Sequence, residues 1–349
     1  MKTLRYSVWL ALVMCLSGVA SAQGATYRQA QYLMGTVFEI TVDTHTPLSV
    51  AQQADLFDPL FARLRAQDLV LSHYRADSEL SQVLAALHAP KPLPQSLSPD
   101  LCYALRQGRR YFEATAGAFD ITIGPLVALW GFKDDNFRVP STTERLNAMK
   151  MTGFRHFKFQ PETCVLAQVA PADNALDFSA IGKGIAIDRA VQHFERVLKP
   201  QYPMVAGLAV QGGGSSAYFW GAPVATPQGW PVFPRQGGEV FWLKDQALGV
   251  SGLDQRFFVH QGKRYGHILD PRTGLALPQD DAVQRHSYVV AHSAEQADVF
   301  STTLWLVSPA QAQQWAEAFN FRFWWAPESP AHHRVGGFSS DDPPRNAGP

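Results

Sequence analysis

Three side chains of different chemistry stand close together in residues 265–274, YGHILDPRTG. His267 supplies an imidazole, Asp270 a carboxylate and Arg272 a guanidinium, and a turn marked by proline and glycine ends the segment. Such a turn holds side chains at a fixed angle off the end of a strand. An imidazole is a candidate acid or base, and a guanidinium binds anions. The segment predicts chemistry on a phosphate or pyrophosphate.

Asp298 and Thr302 form a second candidate element, four positions apart in a segment with helical spacing. Ser293 and Gln296 form a capping box that predicts where this helix begins. Oxygens at positions i and i+4 lie on one helix face, and oxygen ligands suit a hard cation such as Mg²⁺. The alternative is a solvated helix face. The apolar run 304–307 favours a mostly buried helix, in which a carboxylate needs a partner.

Residues 177–184, DFSAIGKG, lie where a predicted strand runs into a helix. Gly182 and Gly184 permit close backbone approach, amides at a helix N-terminus favour an anion, and Lys183 adds a cation. The segment is not a Walker A loop, because no Ser or Thr follows the lysine and the glycine spacing is wrong. An ordinary tight connection with a solvated lysine is an equally open interpretation.

The glycine-rich segment 212–217, GGGSSA, matches two functional patterns incompletely. It fits the dinucleotide pattern G-x-G-x-x-A, but strand-like residues follow where a Rossmann unit needs a helix. It also nearly forms a nucleophile elbow around Ser215, with Ala217 in place of the last glycine. A serine hydrolase is therefore a remote hypothesis. A glycine-rich turn at Gly213 that lines a ligand cleft fits better.

Three further side chains have both a functional and a structural interpretation. Asp120 lies between apolar neighbours, so a buried carboxylate here must be hydrogen-bonded or paired; it could equally cap the adjacent turn. The thioether of Met34 and the phenol of Tyr74 suit a flat aromatic ligand. Either residue could instead belong to the core.

The elements that position these residues are read from apolar periodicity. Strands are predicted at 36–42, 173–179, 239–243, 256–260 and 288–291, helices at 48–71, 101–114 and 187–198, a loop at 90–99, and turns between short strands at 212–238. Strands and helices mix without a regular βαβ rhythm, which favours an α+β fold.

The N-terminus predicts an exported protein. Lys2 and Arg5 precede an apolar run at 8–19, and small residues at 20–22 form a cleavage site. This is the pattern of a signal peptide cut after Ala22, and its apolar core is short for a bilayer span. Lipoprotein anchoring at Cys15 is disfavoured, since the residue before it is Met14.

The remaining 327 residues (349 less 22) can form a large core. Basic and acidic residues number 30 each, which gives no reason to expect a nucleic-acid partner. In an oxidising compartment Cys102 and Cys164 could pair; two separate buried thiols are the alternative. The composition after about Pro327 predicts a disordered tail at 328–349.

Across residues 31–326 the chain resembles the ApbE family of flavin transferases (FAD:protein FMN transferases). No single motif decides the resemblance, but the order of the motifs matches. They are Met34-Gly35-Thr36, Ser72-His73-Tyr74 with Ser78-Glu79, residues 115–131, residues 177–188, the Gly212 turn, Ser251-Gly252, residues 267–274, and Ala297-Asp298 with Ser301-Thr302.

The resemblance implies a two-lobed α+β fold, related to the T-fold, that forms one catalytic unit over residues 23–327 with an FAD cleft between the lobes. It also implies Mg²⁺-dependent transfer of FMN from FAD to a threonine hydroxyl of an acceptor flavoprotein. The product would be a phosphoester, with AMP released. The acceptor would be an exported subunit with a threonine site of the type Asp-x-x-(Ser/Gly)-(Ala)-Thr.

The resemblance also implies roles for individual residues. Mg²⁺ would be bound by Asp298, Thr302 and the backbone carbonyl of Gly182. The flavin would lie near Met34 and Tyr74, while Lys183, Asp188 and the loops around Asp120 and Gly213 would hold the adenylate and phosphates. His267 would be the general base and would also contact the bound FAD.

The chain departs from the family pattern at several positions. Gly266 replaces a histidine often found beside the retained one, and Val250 stands where a hydroxyl residue is usual. Residues 253–256 and Ser215-Ser216 also differ. Two alternatives keep the same cleft: an FAD pyrophosphatase that yields FMN and AMP, and a non-catalytic FAD-binding protein.

Overall fold

The fold is taken from a computed structural model that describes residues 24–73, 75–89, 93–170, 176–234, 240–252, 256–279 and 286–325. The predicted signal peptide, the predicted tail and Tyr74 lie outside the described residues. Within those ranges, no helix has the length and apolar character needed to cross a membrane.

Eight helices occur in the described ranges. They are α1 Val50–Leu71, α2 Glu79–Leu87, α3 Pro99–Ala114, α4 Gly124–Leu129, α5 Thr142–Met151, α6 Gly182–His193, α7 Ala294–Thr303 and α8 Pro309–Phe319, with 3₁₀ turns at Phe154–His156 and Leu304–Leu306 and a π-helical turn at Phe194–Leu198. Six of these helices follow a serine whose hydroxyl accepts a first-turn amide, which satisfies a donor that the helix cannot use itself.

The strands of the described ranges are short and separated by turns. They are β1 Ala25–Leu33, β2 Thr36–Thr44, β3 Gln95–Ser96, β4 Phe157–Gln160, β5 Val165–Gln168, β6 Val205–Gly212, β7 Ser216–Gly221, β8 Trp230–Val232, β9 Phe241–Leu243, β10 Gln246–Gly252, β11 Phe257–His260, β12 Lys263–Asp270, β13 Leu275–Gln279, β14 His286–Ala291 and β15 Arg322–Trp325.

A seven-stranded antiparallel sheet, in the order β1-β2-β6-β7-β10-β14-β15, forms the larger lobe. Helix α6 packs on β6 and β7, and α7 packs on β10 and β14. The alternating residues Phe38, Ile40 and Val42 of β2 are fully buried in the main core. Burial of such apolar side chains holds α6 and α7 against the sheet.

The smaller lobe consists of the three-stranded sheet β11-β12-β13 together with α4 and α5. Leu126, Trp130, Phe132, Phe258 and Leu269 form its separate core. The lobe therefore has its own hydrophobic centre, and strand β12, which carries His267, is its middle strand.

Most of the predicted elements are confirmed, including the strand at 36–42 and the helices at 48–71 and 101–114. The strand predicted at 173–179 is wrong for residues 176–179, and 173–175 lie outside the described residues. Asp177 explains the difference. Its carboxylate accepts the amide and hydroxyl of Ser179, and its own amide donates to Ile121, so these groups form a turn instead of a strand ladder.

Cys102 and Cys164 form a disulfide that joins α3 to the connection between β4 and β5. The alternative of two separate buried thiols is therefore wrong. The two cysteines are 62 positions apart, so the bond closes a long loop in the unfolded chain.

Replacing both cysteines with serine should lower the free energy of unfolding by about 2–4 kcal/mol, because a long closed loop restricts the unfolded chain. Urea unfolding of the double variant and of the native protein, each with and without reductant, measures this. Reductant should move the native protein to the stability of the double variant and leave the double variant unchanged. Equal stability of the oxidised native protein and the double variant would contradict the prediction.

Candidate functional site

A cavity of about 300 Å³ lies where the two lobes meet. Its walls come from α7, the start of α6 and the end of β10 in the larger lobe, and from α4 and β12 in the smaller lobe. Five of the predicted site residues line it: Asp120, Lys183, His267, Asp298 and Thr302. We call this cavity the cleft.

Asp298 is a buried carboxylate, 4% exposed, with both oxygens held by donors of the protein. Its Oδ2 accepts the Gly184 amide at 2.8 Å and lies 4.0 Å from the Nζ of Lys183. Its Oδ1 accepts the Ser216 hydroxyl at 2.5 Å. Burial raises the pKa of Asp298, while Lys183, Ser216 and the Gly184 amide lower it. The side chain therefore has one fixed orientation.

A group of hydroxyls surrounds the next turn of α7. The Oγ1 of Thr302 lies 3.2 Å from the Oγ of Ser251, which is 2.9 Å from the Oγ of Ser301. The Oγ1 of Thr302 also donates to the Asp298 carbonyl at 3.4 Å. Together with the Asp298 carboxylate, these hydroxyls form a group of oxygen atoms, which suit a hard cation.

The predicted start of α7 is confirmed, although its capping box is only half formed. Ser293 accepts the Gln296 amide at 3.2 Å. The Gln296 side chain does not return to Ser293, because its Nε2 donates to the Phe319 carbonyl at 2.6 Å. Gln296 thus ties α7 to the end of α8 instead of completing its own cap.

His267 lies half-buried on β12, where the pairing with β13 shifts register between Tyr265 and Leu269. Such an irregularity turns side chains out of the normal alternation and is common beside active sites. The His267 Nδ1 is 3.1 Å from the Arg256 carbonyl. A carbonyl can only accept, so Nδ1 carries the proton and Nε2 of the neutral ring is the basic nitrogen. His267 can therefore act as a general base.

Asp120 caps the adjacent turn, as one interpretation of the sequence predicts, and it also borders the cavity. It lines the cleft, and its Oδ1 also accepts the amide of Thr122 at 2.8 Å and the hydroxyl at 2.6 Å. Burial raises the pKa of Asp120, and the two bonds from Thr122 lower it. The carboxylate thus caps a turn and still faces the cavity.

The amides at the start of α6 are used within the protein, and that of Gly182 donates to the Phe178 carbonyl at 2.6 Å. The residue before the helix, Ile181, provides no side-chain cap. The Gly184 amide is instead capped by Asp298 from α7, and Lys183 and Ser179 line the cleft. The anion-binding interpretation of residues 177–184 therefore rests on the cation of Lys183, which lines the cleft.

Two residues that line the cleft, Asp177 and Ser251, and one that holds a cleft residue, Ser216, were given no role from the sequence. The Asp177 carboxylate lies 3.9 Å from Nδ1 of His73. The Ser251 hydroxyl lies 3.2 Å from the Thr302 hydroxyl, and the Ser216 hydroxyl donates to the Asp298 carboxylate. The position of Asp177 at the head of residues 177–184 was a usable signal. The sequence around Ser216 carried no such signal, because its partner, Asp298, is 82 positions away.

Met34, Gly182 and Gly213 lie outside the cleft lining. Met34 packs beside the start of α6, where a methyl group on Gly182 would lie 3.4 Å from its Cε. Gly213 adopts a positive φ of 62° in the turn between β6 and β7, and its amide donates to Val37. Its role there is to form a tight turn against β2.

Asp188 is not brought to the cleft. Its two oxygens accept the amides of Ala294 at 2.8 Å and Glu295 at 2.9 Å, at the first turn of α7. Burial raises the pKa of Asp188 to about 8, against the effect of these amides. The carboxylate therefore joins α6 to the first turn of α7.

Arg272 also lies outside the cleft lining. Its guanidinium binds Asp270 through two nitrogens, each at 2.9 Å, and donates to the Leu306 carbonyl at 2.5 Å. Contacts within the protein thus engage part of the guanidinium that the sequence predicts as an anion-binding group.

The serine-hydrolase hypothesis fails on local structure. Ser215 lies in the turn of the β6–β7 hairpin, where its hydroxyl is 3.5 Å from the Gly212 carbonyl. A nucleophile elbow requires a strand, a turn and then a helix. The same hairpin rules out a Rossmann unit at this position.

Gly184 is the point where α6 and α7 approach most tightly along this wall of the cleft. A methyl group on Gly184 would lie 2.4 Å from the Ala294 carbonyl oxygen, whereas one on Gly182 would meet only ordinary contacts. Gly184→Ala should lower the free energy of unfolding by about 1–3 kcal/mol, because backbone must move. Gly182→Ala, two positions away, should change it little. Thermal unfolding of both variants tests this, and equal midpoints would contradict it.

The family of the chain follows from its sequence and its fold together. The sequence model of the ApbE family matches residues 34–323. The chain belongs to the ApbE family. A relative from Treponema pallidum, named FAD:protein FMN transferase, is 29% identical over 322 residues, which cover 85% of this chain and 84% of the relative. A relative of the same name from Vibrio cholerae is 30% identical over 252 residues, which cover 71% of this chain and 72% of the relative.

Solved structures of ApbE proteins share the fold. The flavinyl transferase ApbE of Pseudomonas stutzeri, in its apo form, superposes with a TM-score of 0.72 at 23% identity, covering 87% of this chain and 91% of that one. The flavin transferase ApbE of Vibrio cholerae superposes with a TM-score of 0.70 at 24% identity, and the match covers 86% of this chain and 93% of that one. The predicted α+β fold of the ApbE type is confirmed.

Proposed function

We propose that this protein transfers FMN from FAD to a threonine hydroxyl of an acceptor flavoprotein, forms a phosphoester and releases AMP. The observation that carries the proposal is the cleft, in which His267, Asp298, Thr302 and Lys183 converge within an ApbE fold. The name of the relatives, FAD:protein FMN transferase, supports the same reaction class.

His267 takes the proton in the proposed step. Its Nε2 accepts the proton of the threonine hydroxyl as that oxygen bonds to the FMN-side phosphorus of FAD. The bond from this phosphorus to the bridging oxygen breaks, and the electron pair leaves with AMP. General base catalysis of this kind contributes about 10²–10⁴-fold.

The oxygen donors beside α7 fit Mg²⁺. Asp298 and Thr302, with the Gly182 carbonyl, would hold it, and when bound it would neutralise charge on the phosphoryl oxygens. Within the described ranges, no three His, Cys, Asp or Glu side chains cluster as a metal site. A donor set with one carboxylate matches Mg²⁺, which usually completes its coordination with waters and substrate phosphates.

The remaining residues would position the FAD. Lys183 would contact the phosphates, and Asp120 the adenylate. Met34, with Tyr74, would lie beside the flavin ring. Asp188 would contribute to FAD binding indirectly, by fixing the start of α7. Gly213 would contribute indirectly too, by forming the tight turn that packs against β2.

We place the reaction outside the cytoplasm, after cleavage behind Ala22. The disulfide between Cys102 and Cys164 supports an oxidising compartment. The acceptor would then be an exported flavoprotein subunit.

Acceptor dependence of AMP release tests the reaction. Residues 23–349 are incubated with FAD and Mg²⁺, with and without a peptide that carries the threonine site, and AMP is quantified. AMP that appears only with the peptide supports the transferase. AMP at the same rate without peptide would identify an FAD pyrophosphatase, and FAD bound but intact would identify a binding protein.

Ser216→Ala should weaken Mg²⁺ binding about 10–100-fold, the usual effect of losing a group that orients a metal ligand. Its hydroxyl donates to the Oδ1 of Asp298 and fixes that carboxylate. Calorimetric Mg²⁺ titration in the presence of FAD measures the change. Ser96→Ala, which changes an exposed serine on β3 outside the cleft lining, is the control. An unchanged Mg²⁺ affinity in Ser216→Ala would contradict this role.

A further inference from the structure

The turn after β12 is attached to both lobes of the cleft. On the side of the smaller lobe, Trp130 donates from its indole nitrogen to the Gly274 carbonyl at 3.0 Å, and Arg145 donates to the Thr273 carbonyl. On the other side, Arg272 donates to the Leu306 carbonyl at 2.5 Å. Leu306 lies in the 3₁₀ turn that follows α7 in the larger lobe.

The bond between Arg272 and Leu306 lies close in sequence to the proposed base, His267, at one end and to the proposed metal ligand Thr302 at the other. His267 precedes Asp270, the partner of Arg272, by three positions on β12. Thr302 precedes Leu306 by four positions. The Arg272–Leu306 bond therefore links the strand that carries the base to the helix that carries the metal-binding oxygens.

We infer that Arg272 is a positioning residue, which sets the separation between His267 and the Asp298–Thr302 face of α7. The inference rests on the proposed function, and it gives Arg272 a role without contact to the ligand, since its side chain is outside the cleft lining. Reactions of this kind depend on placement to about 1 Å, and a misplacement of that size costs about 10²-fold in rate.

The chemistry of the contact requires an arginine. The Nε and one Nη of Arg272 bind the two oxygens of Asp270, and the same Nη also reaches the Leu306 carbonyl. Asp270 also accepts the Arg272 amide at 2.9 Å, which fixes the backbone of the turn. A lysine keeps the charge but has a single nitrogen, so it cannot hold Asp270 and Leu306 in this planar arrangement.

Steady-state kinetics of FMN transfer with Arg272→Ala and Arg272→Lys test the inference. Both variants should lower kcat about 100-fold and leave the KM for FAD within about three-fold, because FAD contacts are retained. Lys263→Ala removes an exposed cation from the same strand and should behave as the native protein. Full activity of Arg272→Lys, or a raised KM with an unchanged kcat, would overturn the positioning role.

A double variant separates positioning from general destabilisation. If Arg272 acts through His267, then His267→Ala with Arg272→Ala should be no more than about three-fold slower than His267→Ala alone. A double variant slowed by the full product of the two single effects would show independent roles and overturn the inference.

A distance measurement keeps the inference testable without turnover. Spin labels on Val259→Cys in the smaller lobe and Gln314→Cys in α8 report the separation of the lobes, because the native cysteines 102 and 164 are bonded to each other. Arg272→Ala should broaden the distance distribution. An unchanged distribution would overturn the link between lobes. Absence of FMN transfer in the native protein would instead count against the proposed function.

Discussion

Asp298→Asn should reduce the kcat/KM of FMN transfer at least 10³-fold, about 4 kcal/mol of transition-state stabilisation. The substitution keeps the shape of the side chain but removes the charge from a position that is 4% exposed. A buried neutral amide attracts a divalent cation far less than a carboxylate does, and the charge on the phosphoryl oxygens then goes uncompensated.

The Asp298→Asn variant should still fold, because burial already disfavours the charged form of this residue. Circular dichroism and thermal unfolding check this, and calorimetry with FAD measures the loss of Mg²⁺ binding. Asp58→Asn, an exposed substitution of the same kind on α1, is the control. Normal transfer by Asp298→Asn would remove this residue from the metal site.

His267→Ala should lower kcat by about 10²–10⁴-fold and leave the KM for FAD nearly unchanged. The Nδ1 of His267 is held by the Arg256 carbonyl, so its loss removes an oriented base and does not remove a ligand-binding charge. Gly266 beside it offers no substitute.

Single-turnover kinetics of peptide modification measure the His267 effect directly. His260→Ala, an exposed histidine on β11 of the same lobe, is the matched control and should be fully active. If His267→Ala transfers FMN at the native rate, another group must take the proton, and the assignment of the base is wrong.

Local sequence patterns predicted those parts of the site that depend on neighbours in the chain. The Ser293 cap and the i,i+4 spacing of Asp298 and Thr302 are properties of one helix, and the structure has both. The strand and turn after His267 are likewise encoded within ten residues. Such short-range signals need no knowledge of the fold.

The rest of the site depends on contacts between distant segments. The partners of Asp298 come from Gly184 and Ser216, 114 and 82 positions away. Arg272 was expected to bind an anion because a guanidinium can, and its contact with Leu306, 34 positions away, is visible only in the packed fold. Asp188 was assigned to the ligand, but it satisfies amides at the start of α7.

The intact mass of a threonine peptide, after incubation with FAD, Mg²⁺ and residues 23–349, tests the central claim most directly. We predict a peptide heavier by one phosphoester-linked FMN, formed by the native protein and absent with Asp298→Asn or with a peptide whose threonine is replaced by alanine. An unmodified peptide alongside released AMP, or an adduct on the alanine peptide, would contradict transfer of FMN to a threonine hydroxyl.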